Sequence, residues 1–177
     1  MNTSLRLETL PLPTDPGWID QVQETARRYM LDYGSCAQGV LAAFMETLHL
    51  ENPLLMSAAG AMQGGMLSSL TCGVHTGSMM VLGLFLGREN VHLGREAFSP
   101  ILGPGQKLIR RLNKRLGGSL CRELSGVDFT DMKQVAAFHG TANWQRCLDR
   151  AAEGAAETAR LLVELSEKGE LFRVKGA

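Results

Sequence analysis

No two of the four cysteines in this chain are spaced C-x-x-C, which removes a zinc ribbon and a thioredoxin-type dithiol from consideration. C-x-x-C-H is absent for the same reason, so no covalent c-type haem is expected. The chain also lacks a phosphate-binding loop, a G-x-S-x-G elbow and an H-E-x-x-H pair. Neither sign of charge dominates. Lys plus Arg and Asp plus Glu both number 18, which leaves no general attraction to nucleic acid or anionic lipid. Aromatic residues make up only 6%, and β-branched residues are sparse. Ala, Leu, Met, Glu, Gln and Arg dominate instead, a composition that favours helix. The N-terminal MNTSLRLETLPLPTDPGW has no apolar run of the kind a secretory signal carries, so a cytoplasmic protein is expected.

One stretch lacks charge altogether. Leu54 to Gly87 contains no Asp, Glu, Lys or Arg and is rich in methionine and glycine. It is broken by Gly60, Gly64, Gly65, Ser68, Ser69 and Thr71, and its strongest apolar run, Met79 to Leu86, is too short to span a bilayer. We therefore expect no membrane span, and we read this stretch as the centre of the core. Its methionines are read as gap fillers.

The rest of the chain reads as helices with start and stop signals. Asp15 and Pro16 open a first helix that carries Trp18, Val22, Ala26 and Met30 on one face and ends at Gly34. Ser35 with Gln38 forms a capping-box pattern for a second helix. Asn52-Pro53 opens a third, predicted to break at Gln63-Gly64-Gly65. Another runs from near Thr71 to Gly87. Residues 88–104 read as a loop with room for one turn of helix, followed by the basic amphipathic segment GQKLIRRLNKRLGG, taken as a solvated helix face. Ser119 is a candidate cap for LCRELSG, and Thr130 opens DMKQVAAFHG. The last helix, about 143–168, places Trp144, Leu148, Ala151, Ala155, Thr158, Leu162 and Leu165 on a heptad-like seam. That small-residue seam raises the expectation of a homodimer. The expected fold is all-α: a single compact bundle of six to eight helices over 16–168, with an N-terminal arm (1–15) and a C-terminal tail (169–177).

Cys36, Cys72 and Cys121 each follow a Ser or Thr by one or two positions, which predicts a place in the first turn of a helix. Unpaired N–H groups and the helix dipole there favour a thiolate, the form that ligates metal or attacks disulfides. Cys147 falls near the start of the last helix. Buried structural thiols remain the alternative, since cysteine often behaves as a small hydrophobe.

The segments SCAQGVLAAFMETL, QGGMLSSLTCGVHTGSMMVLG and LCRELSGVD, with Cys147 as a fourth cysteine, resemble the C-GCAxxG-C-C family. That family is described as redox-active without an established substrate. The resemblance covers about residues 30–165, most of a domain-sized chain. It departs from the pattern at Val74, where alanine is usual, and His75 occupies a variable position. The resemblance implies a site at Cys36, Cys72, Cys121 and Cys147. It is similar also to the cysteine-bearing part of split-Soret cytochromes, which implies an iron–sulfur cluster or other metal held by those thiols.

Beside Cys72, Gly73 and Gly77 lie four residues apart and form a smooth strip for a cofactor or for another helix. His75 lies three residues after Cys72 and is a candidate cofactor ligand or thiolate partner. A hydrogen-bonded core histidine is the alternative. The leading expectation is a redox protein for electron transfer or redox sensing, working with a redox partner protein or small-molecule electron carrier. Metal-free thiol–disulfide chemistry and a structural, interaction role stay open beside it.

Overall fold

Val22, Ala26 and Met30 recur at steps of four, and in the computed structural model all three are buried on one face of α1 (Trp18–Tyr33). The structure describes residues 5–8 and 11–176, with the side chains of residues 11–173. Gly34 ends α1 in the left-handed region (φ 71°), where glycine carries no steric penalty, and its N–H closes on Met30 O. The start differs from the sequence expectation. The Asp15 carboxylate accepts from Gly17 N in a tight turn, which delays the first helical residue to Trp18.

The second helix, α2 (Cys36–Thr47), follows at once and is buried along nearly its whole length. Ser35 sits at its N-cap, but the capping box does not form. Gln38 instead donates to Met56 O, tying α2 to α3 (Pro53–Ala59). Asn52 caps α3 by accepting from Leu55 N. A turn of 3-10 helix and the predicted break at Gln63 lead into a tight turn over 65–69. The central helix α4 (Gly73–Leu86) then crosses the molecule, packed against α2, α5 and α8.

The segment expected to be a loop up to residue 104 is already helical at Ser99. Pro100 fits the first turn of α5 (Ser99–Leu116), and Pro104 forgoes one hydrogen bond near the helix start. Three of the five basic residues of α5 are matched rather than free. Arg111 reaches Glu164 (2.5 Å) and Glu157 (3.6 Å), Arg115 reaches Glu153 (3.7 Å), and Lys107 pairs with Glu164. Two short helices, α6 (Cys121–Ser125) and α7 (Met132–Phe138), precede the long α8 (Ala142–Glu167).

The heptad-like seam of α8 is buried inside this chain, against α1 and α4. Gly154 permits the approach: a Cβ there would stand 2.2 Å from Val74 Cγ1. The residues from which a dimer was expected thus have an intramolecular partner. The two ends of the chain add a small ribbon, β1 (Leu5–Glu8) antiparallel to β2 (Arg173–Gly176), where the sequence suggested a separate arm and tail. The fold is otherwise all-α, as expected. No helix among the described residues is long and apolar enough to cross a membrane.

Candidate functional site

Four different helices bring the cysteines to one cavity. Cys36 is the first residue of α2, Cys72 the N-cap of α4, Cys121 the first residue of α6, and Cys147 lies in the second turn of α8. All four line the same cavity, about 320 Å³ in volume. Cys72 and Cys121 are buried, while Cys36 and Cys147 are half-buried. All four thiols are free. Among the described residues, no three His, Cys, Asp or Glu side chains are drawn together closely enough to hold a metal ion.

Backbone pairing registers two of these thiols. Cys72 N donates to Ser119 O (2.8 Å) and Cys121 N donates to Leu70 O (2.6 Å), flanking a bridge between Thr71 and Leu120. The predicted Ser119 cap is therefore absent: its carbonyl serves the bridge, and Leu120 takes the N-cap place. The preceding turn is left-handed at Gly64, Gly65, Met66, Leu67 and Ser69. For the non-glycine residues this costs roughly 1–2 kcal/mol each. Ser69 anchors the turn, its hydroxyl accepting from Phe129 N (2.6 Å) and donating to Val127 O. The turn in turn covers the cavity, with Gly64 and Leu67 in its wall. Gly65 lies so close to Cys121 that a Cβ would approach that residue's Cβ to 2.8 Å.

Position at a helix start does not make these cysteines acidic. Burial is the largest influence on each and raises all four pKa values, Cys121 to about 12 and Cys147 to about 11. The expected thiolates are neutral thiols, because desolvation outweighs the helix-end donors. Cys36 adds a further upward push on each of the other three. Each sulfur nevertheless has donors that would serve an anion. Around Cys36 these are the N–H groups of Gly64, Ala37, Cys36 itself and Gly73. Val74 N serves Cys72 and Arg150 serves Cys147, while the Ser125 hydroxyl donates to Cys121 O (2.7 Å) and would have to turn to serve the Cys121 sulfur.

The glycine strip works as helix contact. A Cβ on Gly73 would lie 2.2 Å from Cys36 Sγ, and one on Gly77 would lie 2.6 Å from Ala37 O. Gly73 thus makes room for a site sulfur, and Gly77 lets α2 and α4 meet backbone to backbone. Neither glycine lines the cavity.

His75 is also outside the lining. It is 1% exposed, and its Nε2 pairs with Asn113 Oδ1 on α5 at 2.9 Å. Burial lowers its pKa below the ordinary 6.5, and the Asn113 contact opposes this more weakly. The folded chain therefore resists a proton that the unfolded chain accepts. This stabilisation is full above about pH 6.5 and declines as pH falls toward the depressed folded value. Melting temperatures of the wild type should drop more between about pH 7.5 and pH 5.5 than those of His75→Gln. Equal slopes would contradict a neutral buried His75.

Sequence reasoning missed three wall elements. Phe129, Phe138 and Trp144 form an edge-to-face series (6.0 and 5.5 Å between centroids) along the cavity. His139 lies at the cavity with its ring 4.4 Å from that of Trp144. Arg150 is the one Lys or Arg among the lining residues, and no Asp or Glu is present there. The i+3 rule that singled out His75 after Cys72 also marks Arg150 after Cys147.

No curated protein and no solved structure matches the chain. Residues 34–161, a span that holds all four cysteines, match the family described as "Putative redox-active protein (C_GCAxxG_C_C)". On that match, with the four thiols around one cavity, the chain belongs to the C_GCAxxG_C_C family of redox-active proteins.

Proposed function

We propose that the protein transfers electrons or senses redox state through an iron–sulfur cluster, or another thiophilic metal, held by Cys36, Cys72, Cys121 and Cys147. The observation that carries this reading is the single cavity lined by all four thiols. The donor set fits such a group, because soft thiolates select iron–sulfur clusters, zinc and copper(I). No Asp or Glu is among the described lining residues, so no carboxylate there favours magnesium or calcium. Since the thiols share the cavity without ligand contact, loading draws them inward and releases their protons.

When bound, a cluster supplies a one-electron couple. The chain's own part is to hold and tune it. The N–H groups around Cys36 and Val74 N near Cys72 would offset negative charge on sulfur, which tunes the potential. Phe129, Phe138 and Trp144 keep water from that side.

Protein purified without oxygen is expected to contain iron and acid-labile sulfide, with visible absorption that bleaches on reduction. Metal-free protein would contradict the metal reading. Thiol–disulfide chemistry is the second reading, favoured by Cys36 Sγ lying against Gly73, the neighbour of Cys72. In that case mild oxidation of metal-free protein would join Cys36 to Cys72 and remove two alkylatable thiols.

A further inference from the structure

Arg150 is half-buried on α8, one turn beyond Cys147, and has no carboxylate within ion-pair distance among the described residues. Its guanidinium is held by carbonyls instead. Nη1 donates to Leu124 O (2.8 Å) and Nε to Leu116 O (3.4 Å). Leu124 belongs to α6, the short helix that begins at Cys121, and Leu116 is the last residue of α5. One side chain thus fastens the Cys121 helix and the end of α5 to the helix that carries Cys147. Carbonyls at helix C-terminal turns carry partial negative charge and suit a cation. The same group lines the cavity, where no other Lys or Arg does.

We infer that Arg150 is a positioning residue for the thiol centre, clamping the Cys121 helix onto the Cys147 helix and presenting the cavity with its fixed positive charge. This rests on the four-thiol reading and adds two separable roles to it. As a clamp, Arg150 fixes where Cys121 stands relative to Cys147. As a charge, it favours the more negative, reduced state of an assembled centre and so raises its potential. Lysine keeps the charge but cannot span both carbonyls in a rigid fork, so it separates the two roles.

The full chain would be compared as wild type, Arg150→Gln, Arg150→Lys and the exposed neighbour variant Arg146→Gln. In reduced, metal-free protein, maleimide labelling mapped by mass spectrometry reads the clamp. Arg150→Gln should label at Cys121 about tenfold faster than wild type, with Cys36 unchanged and a cooperative melt retained. After anaerobic reconstitution, redox titration reads the charge. Arg150→Gln should raise the oxidised-to-reduced ratio at fixed potential about tenfold, which is about 59 mV downward for one electron. Arg150→Lys should restore the potential but not the protection of Cys121, and Arg146→Gln, which removes a charge beside Cys147 without touching the clamp, should leave Cys121 labelling at the wild-type rate. Unchanged Cys121 labelling in Arg150→Gln would overturn the clamp, and an unchanged potential would overturn the charge. Faster labelling at all four thiols would make Arg150 a general stabiliser and overturn both. If no variant binds iron, the cluster reading fails by itself, and the labelling still decides the clamp.

Discussion

Gly77→Ala is expected to unfold the protein at a temperature lower by about 4–10 °C, reflecting a net loss of about 2–3 kcal/mol. The added Cβ would stand 2.6 Å from Ala37 O and 3.1 Å from Ala37 Cα, both backbone atoms of α2 that no rotamer change can move. Alanine is the better helix former by about 1 kcal/mol, so the steric cost must first exceed that gain. Relief requires α2 and α4 to separate, and with them Cys36 and Cys72. Gly83 on the same helix supplies the control, because a Cβ there meets nothing within 4 Å. Gly83→Ala should raise stability by up to about 1 kcal/mol. If both substitutions behave alike in thermal melts, the close α2–α4 contact is refuted.

Cys36→Ala is expected to abolish the assembled centre while leaving the fold intact. Cys36 raises the pKa of each of the other three thiols and lies within the reach of four backbone N–H donors. Loss of second-shell partners alone lowers metal affinity about 10–100-fold, so loss of this sulfur should lower the affinity for iron by at least about 100-fold and leave the purified protein depleted of iron. Stability should fall far less, because alanine fills most of the space of a small hydrophobic side chain. Iron content and a thermal melt of the same preparation measure the two effects together. Wild-type iron content in Cys36→Ala would remove this thiol from the centre.

Most helices could be read from the chain, because their punctuation is local. Gly34 in its left-handed cap, Asn52-Pro53 and the seam from Trp144 to Leu165 each carry their signal within one or two turns. Errors arose where a distant partner competes for a polar group. Gln38 satisfies Met56 O rather than Ser35, and Ser119 O accepts from Cys72 N across 47 residues of chain. The terminal ribbon pairs segments from opposite ends, which no local pattern could register. The site was legible in its sulfurs and not in its surroundings. Helix position suggested acidic thiols, but burial outweighs it, and burial is a property of the packed molecule. Likewise, spacing singled out His75, three places after Cys72, and passed over Arg150, three places after Cys147. Packing sends His75 toward Asn113 on α5 and Arg150 to the cavity, so the direction of each face decided its role.

The central claim is that four thiols act as one centre, and the number of cysteines shielded from alkylation in anaerobically purified protein tests it most directly. Native protein would be treated with iodoacetamide without oxygen, then released from metal, unfolded and labelled with a second reagent. The account predicts that Cys36, Cys72, Cys121 and Cys147 all carry the second label and that chelation before the first treatment moves the half-buried Cys36 and Cys147 to the first. First-label modification of Cys36 or Cys147 in untreated protein, or a pattern indifferent to chelation, would contradict it.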